Sequence, residues 1–248
     1  MIKQKFLFSV AILATFICGT FVSALAADHK VKKQATFKVR IENISDKDGI
    51  VAKDGSKYPF ALSPGFFVVS SGKTALFTSG RKASAAIESQ AEDGHPELLA
   101  TMFPMVSGSV MSGIFSKPIG ADMVSMGTMA SPILPGSTYE FEFTATKGQR
   151  LQLATMYGQS NDLFYAAEKA VALFDAKGKP VNGDITDKFR LWDAGTEVNQ
   201  APGIGPDQAP RQKAPNTGAA ENGVVHLVKD GFSYPNTKDV LRITITAN

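Results

Sequence analysis

The chain has 248 residues, 44% of them hydrophobic, a formal net charge of +3 and a single cysteine. Lysines and arginines (26) nearly balance the acids (23), which excludes the concentrated positive charge of a nucleic-acid-binding surface. The 22 glycines and 13 prolines, with short apolar runs between them, argue for many turns joining short strands.

Lys3 and Lys5 precede an almost wholly apolar run from Phe6 to Ile17, and Ala24-Leu25-Ala26 follows with small residues. That order is a secretory signal, so residues 1–26 are expected to be cleaved after Ala26 and the protein exported, to the periplasm or outside the cell. A bilayer-spanning helix needs about 20 apolar residues, so no stable membrane span is expected. Ile17 stands where a lipoprotein signal needs Gly, Ala or Ser before Cys18. Cys18 leaves with the signal, and the mature chain then has no thiol for a disulfide, although its compartment would permit one. Loss of Lys3 and Lys5 lowers the net charge from +3 to +1. Residues 27–35, with His29, Lys30, Lys32 and Lys33, read as a solvated basic arm. The roughly 220 residues that remain are enough to bury a large core without staples.

Phe37 to Ile44 alternates strictly, with Phe37, Val39 and Ile41 on one face and Lys38, Arg40 and Glu42 on the other. Period two predicts a half-buried strand. Asp46 to Gly55 is turn-rich and lacks EF-hand spacing. Gly65 to Ser70 (GFFVVS) predicts a strand buried on both faces. Gly72-Lys73-Thr74 is not a phosphate loop, because Phe67 stands where the first glycine would be. Arg81 to Met102 is the one helical segment, with Leu98, Leu99 and Met102 as its apolar face, Gly94 and Pro96 as breaks, and a place at an end of the fold. Thr138 to Ala145 alternates again, with Tyr139, Phe141 and Phe143 inward. Leu151 to Met156 is expected to pair with it as a hairpin across Lys147-Gly148-Gln149. Strands are further expected over Ala170–Phe174, Lys188–Leu191 (at an edge) and Val240–Ile245, and an extended loop over 201–222. The pattern predicts an all-β fold, an antiparallel sandwich or barrel with one short helical segment.

Two acidic turns follow strands: Ser160-Asn161-Asp162, and Asp193-Ala194-Gly195-Thr196-Glu197. Hard cations take several oxygens from carboxylates and turn carbonyls. Asp193 and Glu197 flank a glycine, so a curled loop can aim both at one point, and Asp162 can approach from the neighbouring loop. On spacing alone, a cation site and a solvated acidic surface both remain open.

Ser160-Asn161-Asp162-Leu163-Phe164, followed by Leu191-Trp192-Asp193-Ala194-Gly195-Thr196-Glu197, resembles the paired signature of the spondin amino-terminal domain. Phe37 to Asn43, Ser63-Pro64-Gly65, Leu76-Phe77-Thr78, Ala91-Glu92-Asp93-Gly94, Ile133-Leu134-Pro135-Gly136 and Pro215 to Gly223 resemble its bacterial branch. The likeness runs over most of the chain from Phe37 on, as one domain over residues 36–248. It implies a C2-like antiparallel β-sandwich with one Ca2+ at its edge, held by Asp162, Asp193 and Glu197. In animals the family acts in matrix and cell-surface adhesion. Here Leu163 replaces the Trp that animal members place after the first Asp, Glu197 replaces a final Asp, and the cysteines of animal members are missing. Together with the secretory signal, which alone carries the expectation of export, the resemblance implies a non-catalytic Ca2+-binding module for adhesion or recognition, whose surface or matrix ligand, protein or glycan, is not identified.

Six of the eight methionines lie between Met102 and Met129, including the pairs Met102/Met105, Met123/Met126 and Met126/Met129. Thioethers suit Cu(I), which makes a periplasmic copper- or small-ligand-binding protein using residues 102–129 the alternative; methionine is also an adaptable core filler. Catalysis has weak support: no serine has a G-x-S-x-G context, and His29, His95 and His226 lack paired ligand spacing. A hydrolase with unrecognised carboxylates is the third reading.

Overall fold

The computed structural model describes residues 33–248, apart from 73–74, 105, 108–109, 121–124 and 128. The signal segment, most of the basic arm, Lys73-Thr74, Met105 and Met123 lie outside the described residues.

The first alternating segment forms strand Gln34–Asn43, with Phe37, Val39 and Ile41 wholly buried. It pairs antiparallel with Thr138–Thr146 on one side and Leu241–Ala247 on the other. Gly183–Asp184 and Pro118–Ile119 complete a five-stranded sheet. Its outer face carries cross-strand ion pairs, Lys38 with Glu142 (3.2 Å), Arg242 with Glu42 (2.8 Å) and Arg40 with Glu140. Such exposed pairs contribute at most about 1 kcal/mol each, so they favour the register rather than carry the fold.

The larger sheet runs in the order His226–Leu227, Phe189–Asp193, Leu163–Ala167, Arg150–Tyr157, Leu62–Ser70, Val110–Phe115, Val106–Ser107, and Val171–Ala172 also pairs with Arg150–Tyr157. All these neighbours are antiparallel. Between the sheets, Phe37, Val39, Phe141, Phe143, Ile243 and Ile245 meet Phe67, Val69, Leu151, Leu153, Tyr165 and Leu191. The Phe67 and Phe141 rings stack with centroids 4.2 Å apart. The fold is an antiparallel β-sandwich with short helices.

The larger sheet has a second buried face. Phe66, Val68, Ala154, Phe164 and Trp192 point away from the first core and are covered by Leu76, Ile87, Ala91 and Leu99. Phe77 caps this layer, edge-on to Trp192 at 5.0 Å and to Phe164 at 5.1 Å. Burial on both sides is why Leu62–Ser70 is buried at every position and carries the unbroken apolar run Phe66-Phe67-Val68-Val69. Gly65 lies in that strand where a Cβ would collide with the Ala154 carbonyl and the Phe115 ring, so only glycine fits.

Two local expectations are corrected. Lys147-Gly148-Gln149 does not close a hairpin: Thr138–Thr146 belongs to the smaller sheet and Arg150–Tyr157 to the larger. The turn carries the chain from one layer to the other, because the apolar faces of both strands are satisfied across the core rather than side by side. The helical segment is two helices, α1 (Ala85–Glu92) and α2 (Glu97–Met102). Ser84 caps α1, accepting from the Ile87 N–H at 3.3 Å, and Gly94 (φ +69°) with Pro96 makes the break. These helices cover the outer face of the larger sheet rather than an end of the sandwich. Of the expected apolar face only Leu99 is buried; Leu98 and Met102 are 47% and 52% exposed. A third short helix, α3 (Thr237–Val240), precedes the last strand. Among the described residues, no helix is long and apolar enough to cross a membrane.

Candidate metal centre

Strands Leu163–Ala167 and Phe189–Asp193 pair so that Leu163 sits opposite Asp193. The turn before the first strand and the loop after the second therefore emerge at the same end of the sheet. Ser160 fixes the turn: its hydroxyl donates to the Tyr157 carbonyl at 2.6 Å and accepts from the Leu163 N–H at 3.1 Å. The turn directs Asp162 into the loop that follows Asp193.

Asp162 Oδ2 accepts three hydrogen bonds from that loop, from the Thr196 N–H (2.7 Å), the Thr196 hydroxyl (3.0 Å) and the Glu197 N–H (3.1 Å). Its Oδ1 is buried and has no hydrogen-bond partner. Asp193 accepts at Oδ1 from the Gly195 N–H (2.7 Å) and at Oδ2 from the Asn199 carboxamide (2.6 Å). Gly195 takes φ +68°, a conformation that favours glycine, and lets the loop fold back over Asp193.

The third carboxylate at this point is Glu221. One oxygen each of Asp162, Asp193 and Glu221 lie within 4.8 Å of one another. Asp162 and Asp193 are buried, whereas Glu221 is exposed. The Glu221 N–H bonds the Thr196 carbonyl at 2.9 Å, which ties the end of the 201–222 loop to the Asp193 loop. Glu197 does not join the group. Its carboxylate turns to the other side, accepting from the Gly218 N–H (2.7 Å) and the Asn161 carboxamide (3.3 Å). A Cβ on Gly218 would overlap that carboxylate, so the glycine seals Glu197 in place.

Burial pushes the Asp162 carboxyl above its usual range, and the Asp193 charge pushes it further. Asp193 is raised by burial, against the hydrogen bond from Gly195 and the nearby His226. Glu221 is raised by burial and by the Asp193 charge. Behind Thr196 lies a second acidic group, Glu92, Asp93 and Glu197, all buried. Burial lifts Glu92 to about 8, a hydrogen bond with Thr196 opposes that rise, and the Glu197 charge adds to it. None of these buried acids belongs to an ion pair among the described residues.

Three oxygens at this separation repel when ionised, by roughly 3 kcal/mol per pair at an effective dielectric of about 20. A divalent cation reverses that sign. Ca2+–oxygen distances are about 2.3–2.6 Å, so three evenly spaced oxygens on one ion lie up to about 4.5 Å apart, and oxygens within 4.8 Å of one another need at most a small closure to share it. The donor set is all hard oxygen and contains no thiolate, which fits Ca2+ rather than a soft metal. Among the described methionines, Met129 and Met156 share a buried cluster with Ala61 and Ala209, and Met126 packs partly buried against it, as core filler does.

The chain matches no protein-family model and no curated protein. Sequence reading missed Glu221 and Asn199. Glu221 ends a Gly- and Asn-rich loop far along the chain from Asp193, and no periodicity or spacing links them.

Proposed function

We propose that this protein is an exported, non-catalytic Ca2+-binding β-sandwich of spondin type that acts in surface adhesion or extracellular recognition. The observation that carries the metal half of this reading is Asp162 Oδ1. It is an oxygen of a fully buried carboxylate, without a donor, beside two further carboxylates. A buried charged group without compensation is costly, and a bound cation supplies the compensation. The recognition half rests on the spondin resemblance and on the position of Glu221. A ligand oxygen on an exposed loop leaves one side of the ion open to solvent or to a partner.

The test is calorimetric titration of Ca2+ into the mature chain and into Asp193→Ala. Extracellular Ca2+ modules bind at about 10⁻⁴–10⁻³ M. At tenfold excess over Kd the ion adds about 1.4 kcal/mol of stability, read as a rise in melting temperature. No heat in the wild type, or equal responses in both proteins, defeats the metal half. Glycan and matrix-protein arrays probed with and without Ca2+ test the recognition half; absence of any Ca2+-dependent ligand defeats it.

A further inference from the structure

We infer that Asn199 is a fourth oxygen ligand of the cation, delivered by a half-turn of its carboxamide when the ion binds. This rests on the Ca2+ reading above and adds a ligand that neither the resemblance nor the carboxylate group contains.

Asn199 Nδ2 donates to Asp193 Oδ2 at 2.6 Å, while its Oδ1 is buried and has no partner. Two donor-less buried oxygens, Asp162 Oδ1 and Asn199 Oδ1, therefore belong to side chains that flank Asp193. A carboxamide turned by 180° exchanges its oxygen and nitrogen with little change of shape. Without a cation, the Asp193 carboxylate needs a donor, and the amide nitrogen facing it supplies one. With a cation on Asp193, the charge at that point becomes positive. The N–H dipole is then repelled and the carbonyl oxygen attracted, so the same rotation satisfies the metal and gives Oδ1 its partner.

The backbone on either side is fixed, so the motion is confined to the side chain. The Val198 N–H bonds the Ala219 carbonyl at 2.7 Å, and the Gln200 N–H bonds Asn161 Oδ1 at 2.9 Å. The stoichiometry also favours an amide. Ca2+ takes six to eight oxygens and accepts amide carbonyls readily. Three carboxylates already exceed its charge, so a neutral fourth ligand raises the coordination number without adding repulsion.

The test compares Ca2+ titrations of the mature wild type, Asn199→Ala and Asn199→Asp, with metal-free melting curves to show that each variant folds. A crystal structure of the Ca2+-bound wild type accompanies them. Loss of a ligand is expected to weaken Asn199→Ala about tenfold or more. Asn199→Asp, which supplies an oxygen but no donor and adds a charge, is expected to bind within a few-fold of wild type. In the crystal, Asn199 Oδ1 is expected within about 2.3–2.6 Å of the ion. If Asn199 only positions Asp193, both variants lose the donor and weaken alike, and Nδ2 still faces Asp193 beside the bound ion. That result overturns the inference and leaves the Ca2+ reading standing, as does unchanged affinity in Asn199→Ala. No Ca2+ binding by the wild type overturns both.

Discussion

Asp162 and Thr196 are joined twice, because the backbone N–H and the hydroxyl of Thr196 both donate to the same oxygen, Asp162 Oδ2, at 2.7 and 3.0 Å. The two oxygens of Asp162 thereby divide their work. Oδ2 ties the 160–162 turn to the 193–197 loop, and Oδ1 is left without a hydrogen-bond partner, the oxygen that the proposed cation would take. Thr196→Val keeps the shape and the backbone donor but removes the hydroxyl. It is expected to cost about 1 kcal/mol, or roughly 2–4 °C in melting temperature for a chain of this size. Ca2+ affinity is expected to change little, because the N–H groups of Thr196 and Glu197 still hold Oδ2. A tenfold loss of affinity in this variant would assign the hydroxyl a direct part in the metal site.

Glu221 and Glu197 offer a sharper comparison. The resemblance points to Glu197 as a ligand, whereas the geometry brings Glu221 to Asp162 and Asp193. Glu221→Gln is expected to weaken Ca2+ binding about tenfold while barely altering metal-free stability, since the side chain is exposed. Glu197→Gln is expected to leave Ca2+ affinity within a few-fold of wild type and to change stability instead, because its carboxylate accepts from Gly218 and Asn161 in a buried setting. Calorimetry and melting curves on the two variants separate these outcomes.

The contrast shows which features are local enough to read from sequence. The alternation of Phe37, Val39 and Ile41, and of Tyr139, Phe141 and Phe143, is a one-strand property, and it identifies two strands of the smaller sheet. The Lys147–Gln149 turn reads as a hairpin because a hairpin and a crossover between layers share the same local chemistry; they differ only in which strands later pair. The buried face of α1 and α2 is hidden for a related reason. The sequence carries no sign that the larger sheet needs cover on its outer side, apart from the unbroken run Gly65–Ser70. At the candidate metal centre, Asp162 and Asp193 announce themselves through turns next to strands. Glu221 reaches them only through the path of the 201–222 loop, which is a tertiary property.

The buried acid at Glu92 makes stability depend on pH in a direction opposite to that of an ion-paired carboxylate. Its folded pKa, about 8, lies above the ordinary 4.5, so the folded chain holds a proton that the unfolded chain has released. The carboxyl imposes no ionisation cost below about pH 4.5, and stability is lost as pH rises towards 8. Glu92→Gln is expected to raise the melting temperature at pH 8 and to have little effect at pH 4. Equal effects at both values would show that Glu92 titrates normally.

Gly195 joins the two segments of the candidate metal centre, and its replacement tests whether that geometry matters for Ca2+ binding. Its φ of +68° strains any other residue, and a Cβ there would sit 2.6 Å from the Val224 nitrogen and 2.7 Å from its carbonyl oxygen. Gly195 also donates to Asp193 Oδ1 and accepts from the Gly223 N–H, each at 2.7 Å, so it links the Asp193 and Glu221 segments. Gly195→Ala therefore combines conformational strain, about 1–3 kcal/mol, with a forced separation of these segments. Gly55→Ala is the control: φ is +85° there and no atom lies within 4 Å of the added carbon, so strain alone applies. Both variants are expected to melt below wild type, with Gly195→Ala the lower of the two. Only Gly195→Ala is expected to lose Ca2+ affinity, by tenfold or more, because separating Asp193 from Glu221 removes the shared point that the proposed ion would occupy. If both variants keep wild-type affinity, these two carboxylates do not bind one ion together.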